Sequence, residues 1–168
     1  MARILMVAAE GLPFIKSGGL ADVIGSLPNE LAKKGHEVRV IMPLYLKIAQ
    51  KFHHEFTLEA QFSVSIAYHE VPVNIWSTMR KDVKFYFVEH KGYFEREEMY
   101  GHIDDGERFA YFQKAVIEMC NQLNYFPEIM HCHDWHTGMI PAMCKEGHSF
   151  DERYRNIRFA VSYTHLTL

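Results

Sequence analysis

Lys16, Ser17, Gly18, Gly19, Leu20, Ala21, Asp22 and Val23 form one uninterrupted stretch between an apolar run and residues with helical periodicity. A helix that starts at paired glycines offers unpartnered backbone N–H groups and a partial positive charge, a combination that favours anions. The glycines let a ligand approach the backbone, and Lys16 adds a mobile cation suited to phosphate oxygens. The competing reading is a Gly-Gly turn beside a solvated lysine, with Asp22 as an ordinary first-turn aspartate; residue types alone leave both open. Two familiar nucleotide loops do not fit. GxGxxG is absent, and the next strand-like run ends Ile41-Met42-Pro43 with no acid for a ribose hydroxyl. In the Walker loop the lysine follows the glycines, whereas here it precedes them.

A second candidate is His131-Cys132-His133-Asp134-Trp135-His136. Residues two apart share one face of a strand, so His131 and His133 invite a metal reading. No complete tetrahedral set with suitable spacing accompanies them, and Cys132 falls on the core-facing side, so no metal is expected. Tyr93, Arg96 and Tyr100 make a third group, whose rings suit sugar faces or simply anchor a loop.

The elements that must position these residues are legible in outline. Arg3 to Ala9 is a nearly continuous apolar run, as in a strand covered on both faces. Leu20, Val23, Ile24, Leu27 and Leu31 recur at helical spacing up to Lys34, with Gly35 as the stop. Pro28 lies inside that helix and is expected to kink or split it. Val38 to Met42 forms the next strand, which completes a right-handed βαβ unit with a parallel sheet. Phe62–Tyr68, Glu70–Ser77 and Val83–Val88 read as antiparallel ribbon inserted into, or bordering, the main sheet. Glu107 to Leu123 is a helix with Phe109, Phe112, Val116, Cys120 and Leu123 on one stripe. Glu128 to Cys132 is a short strand. A helix over Thr137 to Lys145 follows, with Thr137 as N-cap and Gly147 beyond its end. A last strand begins at Ile157. The alternation predicts an α/β, Rossmann-like three-layer domain with a mainly parallel sheet plus a β-rich insertion.

Composition narrows the partners. Apolar residues make up 48% of the 168, ample for a core, and the formal net charge of −3 provides no basic surface for nucleic acid. No apolar run approaches the ~20 residues that cross a bilayer, and the start lacks a secretory h-region. Cys120, Cys132 and Cys144 are odd in number and widely spaced, which points to reduced thiols in a cytoplasmic protein.

The Lys16–Val23 stretch resembles the K-x-G-G-L-A-D-V signature of bacterial glycogen synthases and plant starch synthases, glycosyltransferase family 5. Gly25-Ser26-Leu27-Pro28 and Val40-Ile41-Met42-Pro43 continue the likeness. Tyr93-Phe94-Glu95-Arg96 with Tyr100-Gly101, then Arg108-Phe109, then His133-Asp134-Trp135-His136-Thr137 extend it collinearly to about residue 158. The resemblance implies the N-terminal, mainly acceptor-side half of a two-domain GT-B enzyme, with residues 1–158 as a truncated domain. Such an enzyme transfers glucose from ADP-glucose to the non-reducing end of an α-1,4-glucan, with retention and without a cofactor or bound metal. The isolated piece is expected to be inactive, since it lacks the facing domain.

By position, the resemblance makes Lys16 the cation that neutralises phosphate charge, and Gly18 and Gly19 the residues whose amides face the departing diphosphate. Asp22 orients a sugar hydroxyl or caps the local network. Asp134 lines the donor-glucose pocket, accepting sugar hydroxyls and steadying positive charge at the anomeric carbon. Trp135 and His136 flank the cleft, and Tyr93 belongs to a wall loop. The family histidine that binds the donor sugar is followed by Asn-Leu. Here His165 follows Thr164, lacks that asparagine and stands about one residue late, and it is the candidate counterpart. The loss of pattern after Arg158 suggests that residues 159–168 are a foreign tail. Other readings are a GT-B transferase using UDP-glucose, or a non-catalytic glucan-binding module.

Overall fold

The computed structural model describes residues 1–163. In chain order the elements are β1 (Arg3–Val7), α1 (Gly19–Lys33), β2 (Glu37–Pro43), α2 (Leu46–Phe52), β3 (Thr57–Ile66), β4 (His69–Arg80), β5 (Val83–Glu89), α3 (Lys91–Phe94), α4 (Asp105–Gln122), β6 (Ile129–His133), α5 (Ile140–Gly147), α6 (Glu152–Arg155) and β7 (Arg158–Ser162). The seven strands form one sheet in the order β3-β4-β5-β2-β1-β6-β7. From β5 to β7 all neighbours are parallel, whereas β3 and β4 are antiparallel additions at one edge.

Leu5, Met6 and Val7 are fully buried, as an apolar strand covered on both faces requires. The chain steps from β1 through α1 to β2, and from β5 through α4 to β6, in opposite directions across the sheet. Right-handed crossovers therefore put α1 and α4 on opposite faces, which gives the three layers. On α4 the stripe Phe109, Phe112, Val116 and Cys120 is buried as its spacing predicts, whereas Leu123, its expected last member, follows the helix end and is half-buried; Tyr111, Ala115 and Met119 are buried beside the stripe. Neighbouring elements explain the wider face: the Tyr154 hydroxyl of α6 donates to the Ile117 carbonyl at 3.0 Å.

Three expectations change and a fourth narrows. Pro28 does not split its helix, which runs from Gly19 to Lys33 with Pro28 buried inside it, and Asn29 Nδ2 donates to the Gly25 carbonyl at 3.1 Å one turn back. The helix stops at Gly35, whose φ of +85° accompanies bonds from Gly35 N–H to Ala32 O (2.9 Å) and His36 N–H to Leu31 O (3.3 Å), the reciprocal pair that closes a helix end. β5 is not part of an antiparallel ribbon alone, because it pairs in parallel with β2 through Arg39↔Lys84 to Pro43↔Val88. Thr137 does not cap a helix, since Trp135–Thr137 is a 3-10 turn and α5 starts only at Ile140. Gly147 ends α5 from inside rather than lying beyond it.

Cys120, Cys132 and Cys144 are buried free thiols, and burial pushes Cys132 and Cys144 up to about 12. No described helix is long and apolar enough to cross a membrane.

Candidate functional site

In an open α/β sheet, ligands bind beyond the carboxyl ends of the strands, where the order of strands reverses direction. Here that point lies between β1 and β6, because the chain leaves β1 toward β2 and returns much later to β6 on the other side. Two connections face each other there.

The first follows β1. Val7, Ala8 and Ala9 are fully buried, and Glu10, only 4% exposed, is the first charge at the strand end. Its Oε2 accepts the Gly18 N–H at 3.2 Å and also the Ser17 N–H. Between them the loop folds on itself: Gly11 and Ile15 form a β-bridge, and Leu12 N–H donates to Ala21 O at 3.1 Å. Phe14 pins the loop into an aromatic cluster with Phe52, Phe56, Phe85 and Phe87, at ring separations of 5.2, 6.2, 5.1 and 4.8 Å. The outer part is open. Lys16 Nζ lies 2.7 Å from both carboxylate oxygens of Asp22, in a pair whose side chains are about half exposed.

The facing connection follows β6. Asp134 has φ 61° and ψ −177°, a conformation that L residues rarely adopt and that costs on the order of 1–3 kcal/mol. Neighbouring bonds hold it. Asp134 N–H donates to Ser162 O at 2.9 Å, and the Thr137 hydroxyl donates to His133 O at 2.8 Å. The chain thus turns sharply into Trp135 and His136. The Trp135 ring, 46% exposed at the residue level, stacks on His136 at 4.0 Å. His136 also meets Phe109 at 4.6 Å and Tyr100 at 4.8 Å.

Burial lowers both His133 and His136 to about 4, so each is a neutral imidazole near pH 7. His136 Nδ1 and His133 Nε2 are buried without a hydrogen-bond partner. The His131 and His133 rings lie 4.0 Å apart, as same-face strand neighbours should, and His131 Nε2 meets Ser162 Oγ at 2.7 Å. Among the described residues no group of three or more His, Cys, Asp or Glu side chains is arranged to hold a metal.

A third connection, between β5 and α4, closes the floor. Arg108 is fully buried, donating to Tyr93 O at 2.7 Å, Met99 O at 3.2 Å and Asp105 Oδ1 at 2.5 Å. Arg96 forks onto Asp104 at 2.7 and 2.6 Å, which lowers that carboxyl to about 2. These ties deliver Tyr100 to the cleft. Tyr93 goes elsewhere: its hydroxyl donates to Glu107, and its ring packs on His90 at 4.3 Å and Tyr111 at 5.1 Å.

The result is a cleft of about 560 Å³. It gathers Gly18, Gly19, Tyr100, Asp134, Trp135 and His136 from the expected residues, and adds Glu10, Ser17, Leu20 and Tyr163. Lys16 and Asp22 pair with each other near its rim without lining it, and Tyr93 is not in its wall. His165 lies outside the described residues. Glu10 is a site residue that no motif in the sequence marks; an acid that ends a buried apolar strand must find donors, and the amides of the next loop are the nearest.

The family model described as starch synthase catalytic domain matches residues 3–165. The chain belongs to that family. It is 45% identical over 156 residues to glycogen synthase of Streptococcus agalactiae serotype III (strain NEM316), covering 93% of this chain and 33% of the relative. Over 164 residues it is 43% identical to glycogen synthase of Streptococcus gordonii, covering 98% of this chain and 34% of that one. Among solved structures, the catalytic domain of Starch Synthase IV from Arabidopsis thaliana, bound to ADP and acarbose, superposes with a TM-score of 0.86 at 26% identity over 98% of this chain and 34% of that chain. The chain therefore spans about a third of the length of these relatives. The family match takes in both opposed connections, after β1 and after β6.

Proposed function

We propose that these residues form one wall of a sugar-nucleotide transfer site, and that the complete protein moves glucose from ADP-glucose to the non-reducing end of an α-1,4-glucan with retention. The observation that carries the reading is the meeting of α1's glycine-led N-terminus with Asp134 across one cleft at the switch point between β1 and β6. Family membership supports glycosyl transfer, and the ADP in the structural neighbour supports an adenine donor.

The chemistry is electrostatic. As the glycosidic bond to the diphosphate breaks, negative charge builds on the leaving group and positive charge at the anomeric carbon. Lys16 swings from Asp22 to the phosphates, and the unpartnered amides at the start of α1 face them, so the leaving group is stabilised without a covalent step. Asp134 accepts sugar hydroxyls and steadies the anomeric carbon. His136 enters as a neutral imidazole whose unpartnered Nδ1 serves a hydrogen bond rather than a charge. Trp135 offers a ring face to a sugar. His165 is the candidate for a further donor-sugar contact. The facing domain completes the cleft, so this chain alone is inactive or nearly so. The buried thiols suit the reducing cytoplasm.

Radiolabelled glucose transfer to glucan by the full-length protein tests the reading, with ADP-glucose and UDP-glucose compared. Lys16→Ala should cut transfer by about 100- to 1,000-fold. Unchanged glucan affinity with no transfer rate in the wild type would favour a binding module, and turnover by this chain alone would remove the need for the facing domain.

A further inference from the structure

Glu10 has no role in the transfer scheme above, yet its carboxylate is almost fully buried at the centre of the site. The cation nearest in sequence, Lys16, is paired with Asp22 instead. Oε2 takes the amide of Gly18, a donor that the helix N-terminus would otherwise present to an anion, and that of Ser17 just before it. Gly18 is the N-cap of α1 and has no side chain to satisfy the amides that follow, so those of Gly19 and Leu20, both in the cleft wall, stay available. A carboxylate already seated at the mouth of the helix also repels a second anion from its own position.

We propose that Glu10 is a positioning residue: it occupies the Ser17 and Gly18 amides and so sets the diphosphate one step further along, on the amides of Gly19 and Leu20, toward Asp134. This rests on the donor-site reading for the identity of the ligand, but not for Glu10's hold on the loop. Gly18 accordingly serves the ligand by leaving room, and Gly19 by donating.

The test is amide hydrogen exchange and ADP titration followed by NMR on the full-length protein, for the wild type, Glu10→Gln, Glu10→Ala and Glu10→Asp. In the wild type the Ser17 and Gly18 amides exchange slowly, and ADP shifts Gly19 and Leu20. Glu10→Gln keeps an oxygen acceptor of the same reach without the charge, so exchange at Ser17 and Gly18 speeds up less than in Glu10→Ala and the ADP-induced shifts stay on Gly19 and Leu20. Glu10→Ala speeds exchange at Ser17 and Gly18 by about tenfold or more, the loss expected for a charge-assisted hydrogen bond, and moves the ADP-induced shifts back onto them. If the alanine variant does not fold, Glu10→Asp decides, because retracting the carboxylate by one methylene must release the longer Gly18 bond first. Unchanged exchange at Ser17 and Gly18 in a folded Ala or Asp variant overturns the proposal, as does an ADP shift pattern in Glu10→Ala identical to the wild type. Absence of any ADP response in the wild type would count against the donor-site reading, while the exchange measurement still decides whether Glu10 holds the loop.

Discussion

The two main walls of the cleft are held by different physics. The wall after β1 is built from backbone amides, glycines and charges, and its outer part is open to solvent. The wall after β6 is built from packed rings, two buried neutral imidazoles and a left-handed backbone at Asp134. Within the first wall a further contrast separates glycines that the fold needs from glycines that it does not. A Cβ on Gly11 would sit 2.4 Å from Ile24 Cγ2 and 2.9 Å from Met42 Cε, so α1 and β2 close over a bare backbone. A Cβ on Gly19 would meet nothing within 4 Å, and one on Gly18 only Glu10 Oε1 at 3.7 Å. Neither outer glycine has a positive φ. Packing explains the inner glycine, whereas the packing of the fold makes no such demand on the outer pair.

Acid should break the second wall before the first. His133 and His136 titrate near 4 when folded, against about 6.5 unfolded, so the unfolded chain binds more protons between those values. Their contribution is fully present above pH 6.5 and is lost as pH falls toward 4, on the order of 3 kcal/mol for each histidine. Urea midpoints measured from pH 7 to 4 should fall steeply across that window, and a folded His136→Asn variant should show a shallower slope. A flat profile would mean that these imidazoles are not held neutral by burial.

Gly19→Ala should separate function from folding. Transfer by the full-length protein should drop about 100-fold through the lost approach to the phosphates. Stability should stay level or rise by up to about 1 kcal/mol, since alanine is the better helix residue. A variant that is both stable and fully active would show that the open space at Gly19 is not a ligand's. Gly11→Ala should do the reverse, costing about 1–3 kcal/mol of stability through overpacking while ADP affinity of the folded fraction is retained. Chemical denaturation and calorimetry read the two effects separately.

The smallest effect belongs to Asp22→Asn. An exposed ion pair contributes about 0–1 kcal/mol, so the denaturation midpoint should barely move. Freed from Asp22, Lys16 should bind ADP no more weakly than before. Weaker binding in this variant would make Asp22 a ligand contact rather than a tether for the lysine.

Legibility in the sequence followed the range of the interactions involved. The stripe on α4, the Gly35 stop and the first βαβ unit depend on periodicity and local backbone preference, and they appear as read. Val83–Val88 looked like a third antiparallel strand because its neighbours in sequence are; its parallel pairing with β2 depends on residues about 45 positions earlier. Thr137 has the type of a helix cap, but its hydroxyl is taken by the His133 carbonyl at the turn that Asp134 forces. Tyr93 and Tyr100 are equally plausible sugar-facing rings in the sequence, and only the ties from Arg108 and Arg96 decide that Tyr100 enters the cleft and Tyr93 does not.

Sequence by itself determined the parallel α/β architecture, the glycine-led helix start, and the presence of Asp134-Trp135-His136 at a strand's end, because apolar period and turn chemistry are local properties. Tertiary structure alone decided that these stretches, more than a hundred residues apart, share one cleft. It also decided that Glu10 claims the Ser17 and Gly18 amides, and that His133 and His136 are neutral. Each of these depends on burial and on which group lies across a gap, quantities that exist only once the sheet has brought β1 and β6 side by side.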